Sequence, residues 1–355
     1  MKKLVSLLLA VAMALSLAAC GSTATPAASA SAGSAAASAS TPSDPAVTLT
    51  VVSAGNTKDN AISRGYDKFA ELVKEYSGGS VTANVYYGSE MGSLSSCVDG
   101  VFQGTIDVCS CGPSYISGYV PEVQVFELPF LFDNAKEARQ TLDGEPGQKI
   151  AAMFNGSGAM LISYFESGMR QLMNNKHAIK TPADMKGLKI RCVPSKTQTA
   201  TWEAFGAIPM AIDMTETFTA LQNGTVDANE NGLTTLASYK MWEVQNFLSM
   251  SYHSYTPITV MMNEKTWNSL TAAQQEAVRK AFDDARDYQR QLTDDLTADC
   301  LKQMKDNNVE ITEYEEIDRD AFKACVDPSV YDIFNGLVGQ SDTLAMVQDF
   351  VQTLR

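Results

Sequence analysis

Histidine is almost absent from the sequence, and with it the side chain that most often serves as a catalytic base or a metal ligand. Only His177 and His253 occur among the 355 residues, and neither stands beside a recognisable nucleophile or a second ligand. We expect His177 in a solvated loop and His253 as a hydrogen-bonded residue of the core or of a cleft.

Several catalytic motifs are missing as well. The sequence contains no GxxxxGK(S/T) phosphate loop, no HExxH zinc motif, no GxSxG nucleophile elbow and no paired CxxC motifs. These absences argue against the common classes of NTPase, metalloprotease and serine hydrolase. We therefore predict that the protein is not an enzyme and has no cofactor, and we assign no residue to a metal site, while metal involvement stays open.

Basic residues are outnumbered by acidic ones, 27 to 41, which gives a formal net charge of −14. A surface of this charge repels the phosphate backbone of nucleic acids and anionic lipid head groups. Apolar residues make up 45% of the chain, which is a globular composition. We expect a folded protein without a nucleic-acid partner.

The N-terminal residues have the form of an export signal. Lys2 and Lys3 precede a mostly apolar run over residues 4–17, which is shorter than the roughly 20 residues that a membrane-spanning helix needs. Cys20 follows small residues in an arrangement that resembles the bacterial lipobox. We predict a signal peptide at residues 1–19 and a lipid on Cys20, with a membrane helix as the less favoured alternative. Residues 20–46, rich in Ser, Ala and Thr, would tether an extracytoplasmic protein to the cell membrane as a disordered segment.

Six cysteines remain besides Cys20. An exported protein with an even number of cysteines can contain disulfides, but the sequence does not choose among the possible pairings. Cys109 and Cys111 lack a histidine at ligand-like spacing, which disfavours a metal site. Buried apolar thiols are the favoured interpretation. The six are Cys97, Cys109, Cys111, Cys192, Cys300 and Cys325.

Patterns of hydrophobic residues alternate between strand and helix along the rest of the chain. A strand pattern at residues 47–53 precedes an amphipathic helix that ends near Tyr76 and a strand at residues 81–87. This alternation predicts an α/β fold with helix-covered sheets, and about 300 residues suffice for two lobes. A helical pattern from Thr271 to Asn307 would span about 55 Å, so we expect it to cross both lobes.

Two arginines stand near the carboxyl ends of predicted strands, where ligands bind in open α/β sheets. Arg191 lies in the strand predicted at residues 188–193, and Arg170 follows the strand predicted at residues 159–165. A guanidinium stays charged when water is excluded, and it binds a carboxylate through two hydrogen bonds. A surface salt bridge is the alternative for either arginine, but their positions favour an anion site. A further strand, predicted at residues 226–229, leads into a polar loop.

A series of short motifs, in order and near the expected spacing, resembles one family. The motifs are residues 88–90 (GSE), 103–107 (QGTID), 128–132 (LPFLF), 168–170 (GMR), 185–191 (MKGLKIR), 202–209 (WEAFGAIP), 219–227 (TALQNGTVD), 230–231 (EN), 239–245 (YKMWEVQ) and 267–271 (WNSLT). They resemble the solute receptors of TRAP transporters, the DctP family, from about residue 47 to the C-terminus.

The resemblance implies a two-lobed fold of the periplasmic-binding-protein type, with a hinge and a long helix that spans both lobes. Lobe I would comprise residues 47–167 and about 257–297, and lobe II residues 168–256 and about 298–355. The lobes would close on a small organic acid and deliver it to membrane permease subunits. C4-dicarboxylates, sugar acids, aromatic acids and keto acids all carry the required carboxylate, and the sequence does not choose among them.

The resemblance also assigns ligand-binding roles. Arg191 matches the arginine that forms a salt bridge with the ligand carboxylate, Arg170 matches a helper arginine, and Asn231 matches the asparagine of a Q-E-N-P loop that reads N-E-N-G here. Five further candidates are less specific and follow from position: Asn60, Glu90, Trp202, Phe165 and Glu166. The alternative is a turn role for Asn60 and Glu90 and a core role for Trp202.

Two rival functions remain open from the sequence. A surface-anchored α/β hydrolase would need a nucleophile or a pair of acids, and the motifs offer none. A receptor that presents its ligand to a sensor protein would have the same sequence features as a transport receptor.

Overall fold

The computed structural model describes residues 44–326 and 328–355. The predicted signal peptide, the lipidation site at Cys20 and nearly all of the predicted tether lie outside these residues. Within the described ranges, the structure contains no helix with the length and hydropathy that a membrane crossing requires.

Strands and helices alternate along the described residues, as the sequence predicts. The strands are β1 (Val47–Ala54), β2 (Val81–Gly88), β3 (Val108–Cys111), β4 (Ala159–Asn174), β5 (Lys189–Cys192), β6 (Ile208–Ala211), β7 (Ala228–Gly232), β8 (Phe247–Ser249), β9 (Tyr255–Asn263) and β10 (Glu310–Thr312). The α-helices are α1 (Ala61–Tyr76), α2 (Leu94–Gln103), α3 (Ala135–Asp143), α4 (Glu145–Ala152), α5 (Lys196–Ala204), α6 (Thr217–Gln222), α7 (Leu233–Ser238), α8 (Glu264–Ser269), α9 (Ala272–Asp306), α10 (Arg319–Val326), α11 (Ser329–Val338) and α12 (Thr343–Leu354).

A mixed sheet runs through the molecule in the strand order β2-β1-β3-β9-β4-β7-β5-β6, and β8 pairs with both β4 and β10. Strand β4 belongs to both halves of this sheet. Its first part, up to Met169, pairs with β9, and its last part, from Arg170, pairs with β7. We call the strands on the β9 side the first half-sheet and those on the β7 side the second half-sheet. The result is the two-lobed α/β architecture that the sequence predicts, while the lobe boundaries stay a prediction.

Strand β4 is longer than the sequence predicts. It continues past Phe165 to Asn174, through a polar segment that reads as a loop. Gly168 adopts a φ of +81°, and the register with β9 shifts between Glu166 and Gly168, so the chain bulges there but stays paired. Arg170 consequently lies within a strand and not after one.

Helix α9 confirms the long helix of the sequence. Thr271 and Gln274 form a capping box at its N-terminus, which satisfies backbone N–H groups that the first turn leaves unpaired. Its N-terminal half packs on α1, where the rings of Phe69 and Phe282 stack with centroids 3.7 Å apart. Farther along, Gln289 binds the backbone of Glu166 in β4 through both its amide oxygen and its amide nitrogen. The helix thus braces the strand that joins the two half-sheets.

The cysteines of the described residues are all free, and five of the six are buried. Burial raises the pKa of the thiols of Cys97, Cys109, Cys111, Cys192 and Cys300. These positions agree with the interpretation as buried apolar thiols, and the described residues contain no disulfide.

Candidate functional site

A cavity lies where the two half-sheets meet. Residues from the first half-sheet and its loops, including Gly112, Tyr115 and Glu127, line one side, and Arg191 and Asn231 from the second line the other. Strands β1, β3 and β5 direct their carboxyl ends towards it, which is where open α/β sheets hold ligands.

Arg191 is a buried, positively charged residue of this cavity that lacks a counter-ion among the described residues. It lies in β5 and is only 1% exposed. Its Nε donates to the carbonyl of Ile212 (2.8 Å) and one terminal nitrogen to the hydroxyl of Tyr115 (3.0 Å). Its other terminal nitrogen has no hydrogen-bond partner, and no carboxylate of the described residues forms an ion pair with it. A buried charge without a counter-ion is costly, so the site is complementary to an anion.

Tyr115 does not neutralise this positive charge. Burial raises the pKa of Tyr115 to about 12, although the nearby Arg191 charge acts in the opposite direction. The phenol is therefore neutral at physiological pH. Its hydroxyl accepts from both Arg191 and the backbone N–H of Met214 (3.2 Å), which fixes the guanidinium in place without cancelling its charge.

Arg170 differs from Arg191 because its charge is already paired. Its Nε and one terminal nitrogen bind both oxygens of Glu230, and the same nitrogen donates to the Glu230 carbonyl (2.9 Å). Its remaining nitrogen donates to Asn231 Oδ1 (3.2 Å) and Thr256 Oγ1 (2.9 Å). Both Arg170 and Glu230 are buried. Arg170 lines the cavity, but the nitrogens of its guanidinium are already hydrogen-bonded to other groups of the protein.

Glu230 is the acidic centre of this network. Burial alone would raise its pKa, but the charge of Arg170 and the hydrogen bond from His253 outweigh burial and hold the pKa of Glu230 at about 2. Burial lowers the pKa of His253, although Glu230 acts in the opposite direction, and its ring nitrogens face Glu230 and Ser251. His253 is thus the buried, hydrogen-bonded residue that the sequence predicts.

Asn231 lines the cavity with its orientation fixed by three donors. Its Oδ1 accepts from Ser167 Oγ (3.0 Å), from the backbone N–H of Gly232 (2.9 Å) and from Arg170. Gly232 replaces the proline of the related loop motif. Its N–H is one of these donors, and a proline would lack it.

Gly232→Ala is expected to lower the free energy of unfolding by about 1–3 kcal/mol, the usual effect of overpacking. A Cβ at this position would lie 1.8 Å from the carbonyl oxygen of Ser167, so β4 and β7 would have to move apart. Urea unfolding measures the change. Gly118→Ala is the matched control, since a Cβ there meets no atom within 4 Å. Equal stability of the two variants would contradict the prediction.

Two of the other predicted site residues lie outside the cavity lining. Asn60 is buried and caps α1, accepting from the N–H of Ile62 (2.8 Å), while its Nδ2 donates to Ser238 (3.1 Å) in α7. Glu90 is exposed in the turn after β2, where it accepts from the N–H of Tyr87 (3.4 Å). Glu90 thus has the turn role that the sequence left open, whereas Asn60 is the N-cap of α1.

The remaining three also lie away from the cavity. Trp202 packs edge-on against Phe205 and His253, with ring centroids 5.4 and 5.2 Å apart, as a core residue of the second half. Phe165 is fully buried in the core under α1. Glu166 is held by Arg139 (2.5 Å) and by the hydroxyl of Tyr255 (2.6 Å). Phe165 and Glu166 point to opposite faces of β4, and each is held away from the cavity by its own contacts, Phe165 in the core and Glu166 with Arg139 and Tyr255.

Glu127 and Tyr115 line the cavity, and our sequence interpretation missed both. A signal for Glu127 was available, because it is the only charged residue in the largely apolar segment 123–132. Tyr115 follows β3 in a short turn, so the same strand-end argument that selects Arg191 applies to it.

Comparisons with known proteins agree with this geometry. The DctP family model, described as bacterial extracellular solute-binding protein family 7, matches residues 52–337. The chain is 34% identical over 285 residues to the 2,3-diketo-L-gulonate-binding periplasmic protein YiaO of Escherichia coli, which covers 80% of this chain and 86% of the relative.

Solved structures give the same result. The sugar acid binding protein DctPAm from Advenella mimigardefordensis, in complex with galactonate, superposes with a TM-score of 0.83 at 28% identity, covering 88% of this chain and 100% of that one. A TRAP periplasmic solute binding protein from Roseobacter denitrificans with bound β-D-glucuronate gives a TM-score of 0.81 at 27% identity, covering 86% of this chain and 99% of that one.

Proposed function

The chain belongs to the DctP family of bacterial extracellular solute-binding proteins, and we propose that it binds a small organic carboxylate through Arg191 and delivers it to a TRAP-type membrane permease. The observation that carries the proposal is the buried Arg191 guanidinium, which lines the cavity and has no anionic partner among the described residues. A ligand carboxylate supplies the missing negative charge. The sugar acids in the names of the similar structures, galactonate and glucuronate, carry such a carboxylate.

Binding would close the two lobes around the ligand. Arg191 would bind the ligand carboxylate, and Asn231, also in the second half-sheet, would offer its amide. Residues of the first half-sheet and its loops would cover the ligand. Contacts between the predicted lobes would form on closure, including Tyr239 Oη to the carbonyl of Gly55 (2.5 Å) and Ser95 Oγ to Asp213 (2.9 Å). A ligand that touches both lobes stabilises the closed state, since only contacts specific to that state shift the equilibrium.

The rest of the proposal concerns location and chemistry. The protein would be held at the outer face of the cell membrane by a lipid on Cys20, with the permease subunits as its partners. We assign it no catalytic step, because the matching family model and the similar proteins are described as solute-binding.

A thermal-unfolding screen over organic acids tests the proposal. A ligand at 100 times its dissociation constant is expected to add about 2.7 kcal/mol to the free energy of unfolding and so raise the melting temperature. Galactonate and glucuronate belong in the screen, with galactitol as a control that keeps the hydroxyl groups but lacks the carboxylate. A screen in which no carboxylate raises the melting temperature, or in which galactitol does so equally, contradicts the proposal.

A further inference from the structure

Glu127 places a second charge in the cavity. It ends a 3₁₀ turn, Pro121–Glu127, and is 5% exposed. One oxygen, Oε2, accepts from the backbone N–H (2.8 Å) and from the hydroxyl (2.7 Å) of Ser114. The other, Oε1, has no hydrogen-bond partner among the described residues. It approaches Gly112 so closely that a Cβ there would lie 2.7 Å from it, and the glycine therefore leaves room for the carboxylate.

Only some of the charges around the cavity cancel in direct pairs. Arg170 is bound by both oxygens of Glu230, whereas within the described residues neither Arg191 nor Glu127 forms an ion pair. The cavity therefore offers one unpaired positive group and one unpaired carboxyl group. Both are held by adjacent residues of one turn, because Ser114 fixes Glu127 and Tyr115 fixes Arg191.

The open oxygen of Glu127 bears on which ligands the site accepts. We infer that Glu127 accepts hydrogen bonds from ligand hydroxyl groups and excludes a second carboxylate, so that the site takes polyhydroxy monocarboxylates and discriminates against dicarboxylates. The inference rests on the proposed function, since it requires the ligand carboxylate at Arg191. A hydroxyl donates to Oε1, whereas a second carboxylate offers only acceptors and repels it.

Glu127 is not needed as a counter-charge for Arg170. Glu230 already binds Arg170 through two oxygens. Burial raises the pKa of Glu127, although the Arg170 charge and the bonds from Ser114 act in the opposite direction. A buried carboxyl group destabilises the fold unless a hydrogen-bond donor reaches its unpaired oxygen. At Glu127 that oxygen is Oε1, and a ligand in the cavity can supply the donor.

Matched pairs of acids test the selectivity. Galactonate and galactarate share a carbon number and a hydroxyl pattern but differ in having one or two carboxylates, and hexanoate has neither hydroxyl groups nor a second carboxylate. Gluconate with glucarate, and erythronate with meso-tartrate, repeat the comparison. By titration calorimetry we expect the wild-type protein to bind at least one hydroxylated monocarboxylate about tenfold or more tighter than its dicarboxylate partner, and hexanoate more weakly.

Glu127→Gln then identifies the residue responsible. The substitution keeps the shape but places an amide donor where Oε1 was, so affinity for the hydroxylated monocarboxylate is expected to fall about 10- to 100-fold. The ratio of monocarboxylate to dicarboxylate affinity should fall with it. Glu122→Gln, the same change in the same turn but outside the cavity lining, should leave both affinities unchanged.

The outcomes separate the two proposals. If no acid of the panel binds the wild-type protein, the proposed function fails. If acids bind but the dicarboxylates bind as tightly as their monocarboxylate partners, or if Glu127→Gln leaves the ratio unchanged, only the role of Glu127 is overturned. The wild-type ratio remains a test even if the variant does not fold.

Discussion

Replacing Arg191 by alanine is expected to weaken carboxylate binding by about two to four decades. Removing one partner of a buried, hydrogen-bonded charge pair costs about 3–5 kcal/mol, because the other charge is then left unpaired in a medium of low dielectric constant. Arg191 is 1% exposed, and Tyr115 and Ile212 already hold it in place, so little ordering is needed when the ligand arrives. Titration calorimetry with the acid identified in the thermal screen measures the loss.

Two further variants define what Arg191 contributes. Arg191→Lys keeps the charge but loses the planar fork, so it should recover only part of the affinity. Arg64→Ala is the control, because Arg64 is exposed on α1 and its side chain donates to Tyr288. Near-wild-type affinity in Arg191→Ala would remove the basis of the proposed function.

Glu230→Gln is expected to lower the free energy of unfolding by about 3–5 kcal/mol. The substitution leaves the buried Arg170 without its counter-charge, and breaking a buried pair from one side is far more destabilising than losing a surface pair. The exposed pair of Lys68 and Glu71 provides the comparison, since Glu71→Gln should change stability by no more than about 1 kcal/mol. Urea unfolding at neutral pH measures both variants, and equal effects would show that the Arg170–Glu230 pair contributes no more than a surface pair.

The same pair predicts a dependence on pH. The pKa of Glu230 is held at about 2 in the folded state, below its ordinary value of 4.5. A group with a depressed folded-state pKa stabilises the protein above its unfolded-state value, and this contribution is lost as the pH falls from about 4.5 towards 2. The difference in stability between wild type and Glu230→Gln should therefore shrink by about 3 kcal/mol across that window. A constant difference would argue against an ionised Glu230.

The fold was accessible from the sequence because its long elements follow a strict period. The apolar positions of α9 recur over many turns, so its predicted ends lie within a residue of Ala272 and Asp306. Strand β4 was cut short because Glu166, Ser167 and Gly168 form a polar group with a glycine, which is also the pattern of a loop. Its pairing with β9 and β7, a non-local interaction, keeps this segment in the sheet.

The candidate site was accessible only in part. Arg191 and Asn231 follow from strand ends and motif positions, and the structure places both at the cavity. The sequence does not show that Arg170 is paired, because its partner Glu230 is distant along the chain and adjacent only through the register of β4 with β7. Glu127 was overlooked because its contact with Ser114 is likewise made by the fold and is not apparent from the sequence.

The thiols of the described residues form no covalent cross-link, so the fold of this part of the chain does not depend on a disulfide. Disulfide exchange proceeds through the thiolate, and burial with raised pKa values keeps Cys97, Cys109, Cys111, Cys192 and Cys300 protonated and out of reach. An unfolded chain has no such protection. A protein of this kind that folds outside the cytoplasm must therefore bury its cysteines faster than an oxidant forms non-native disulfides between them.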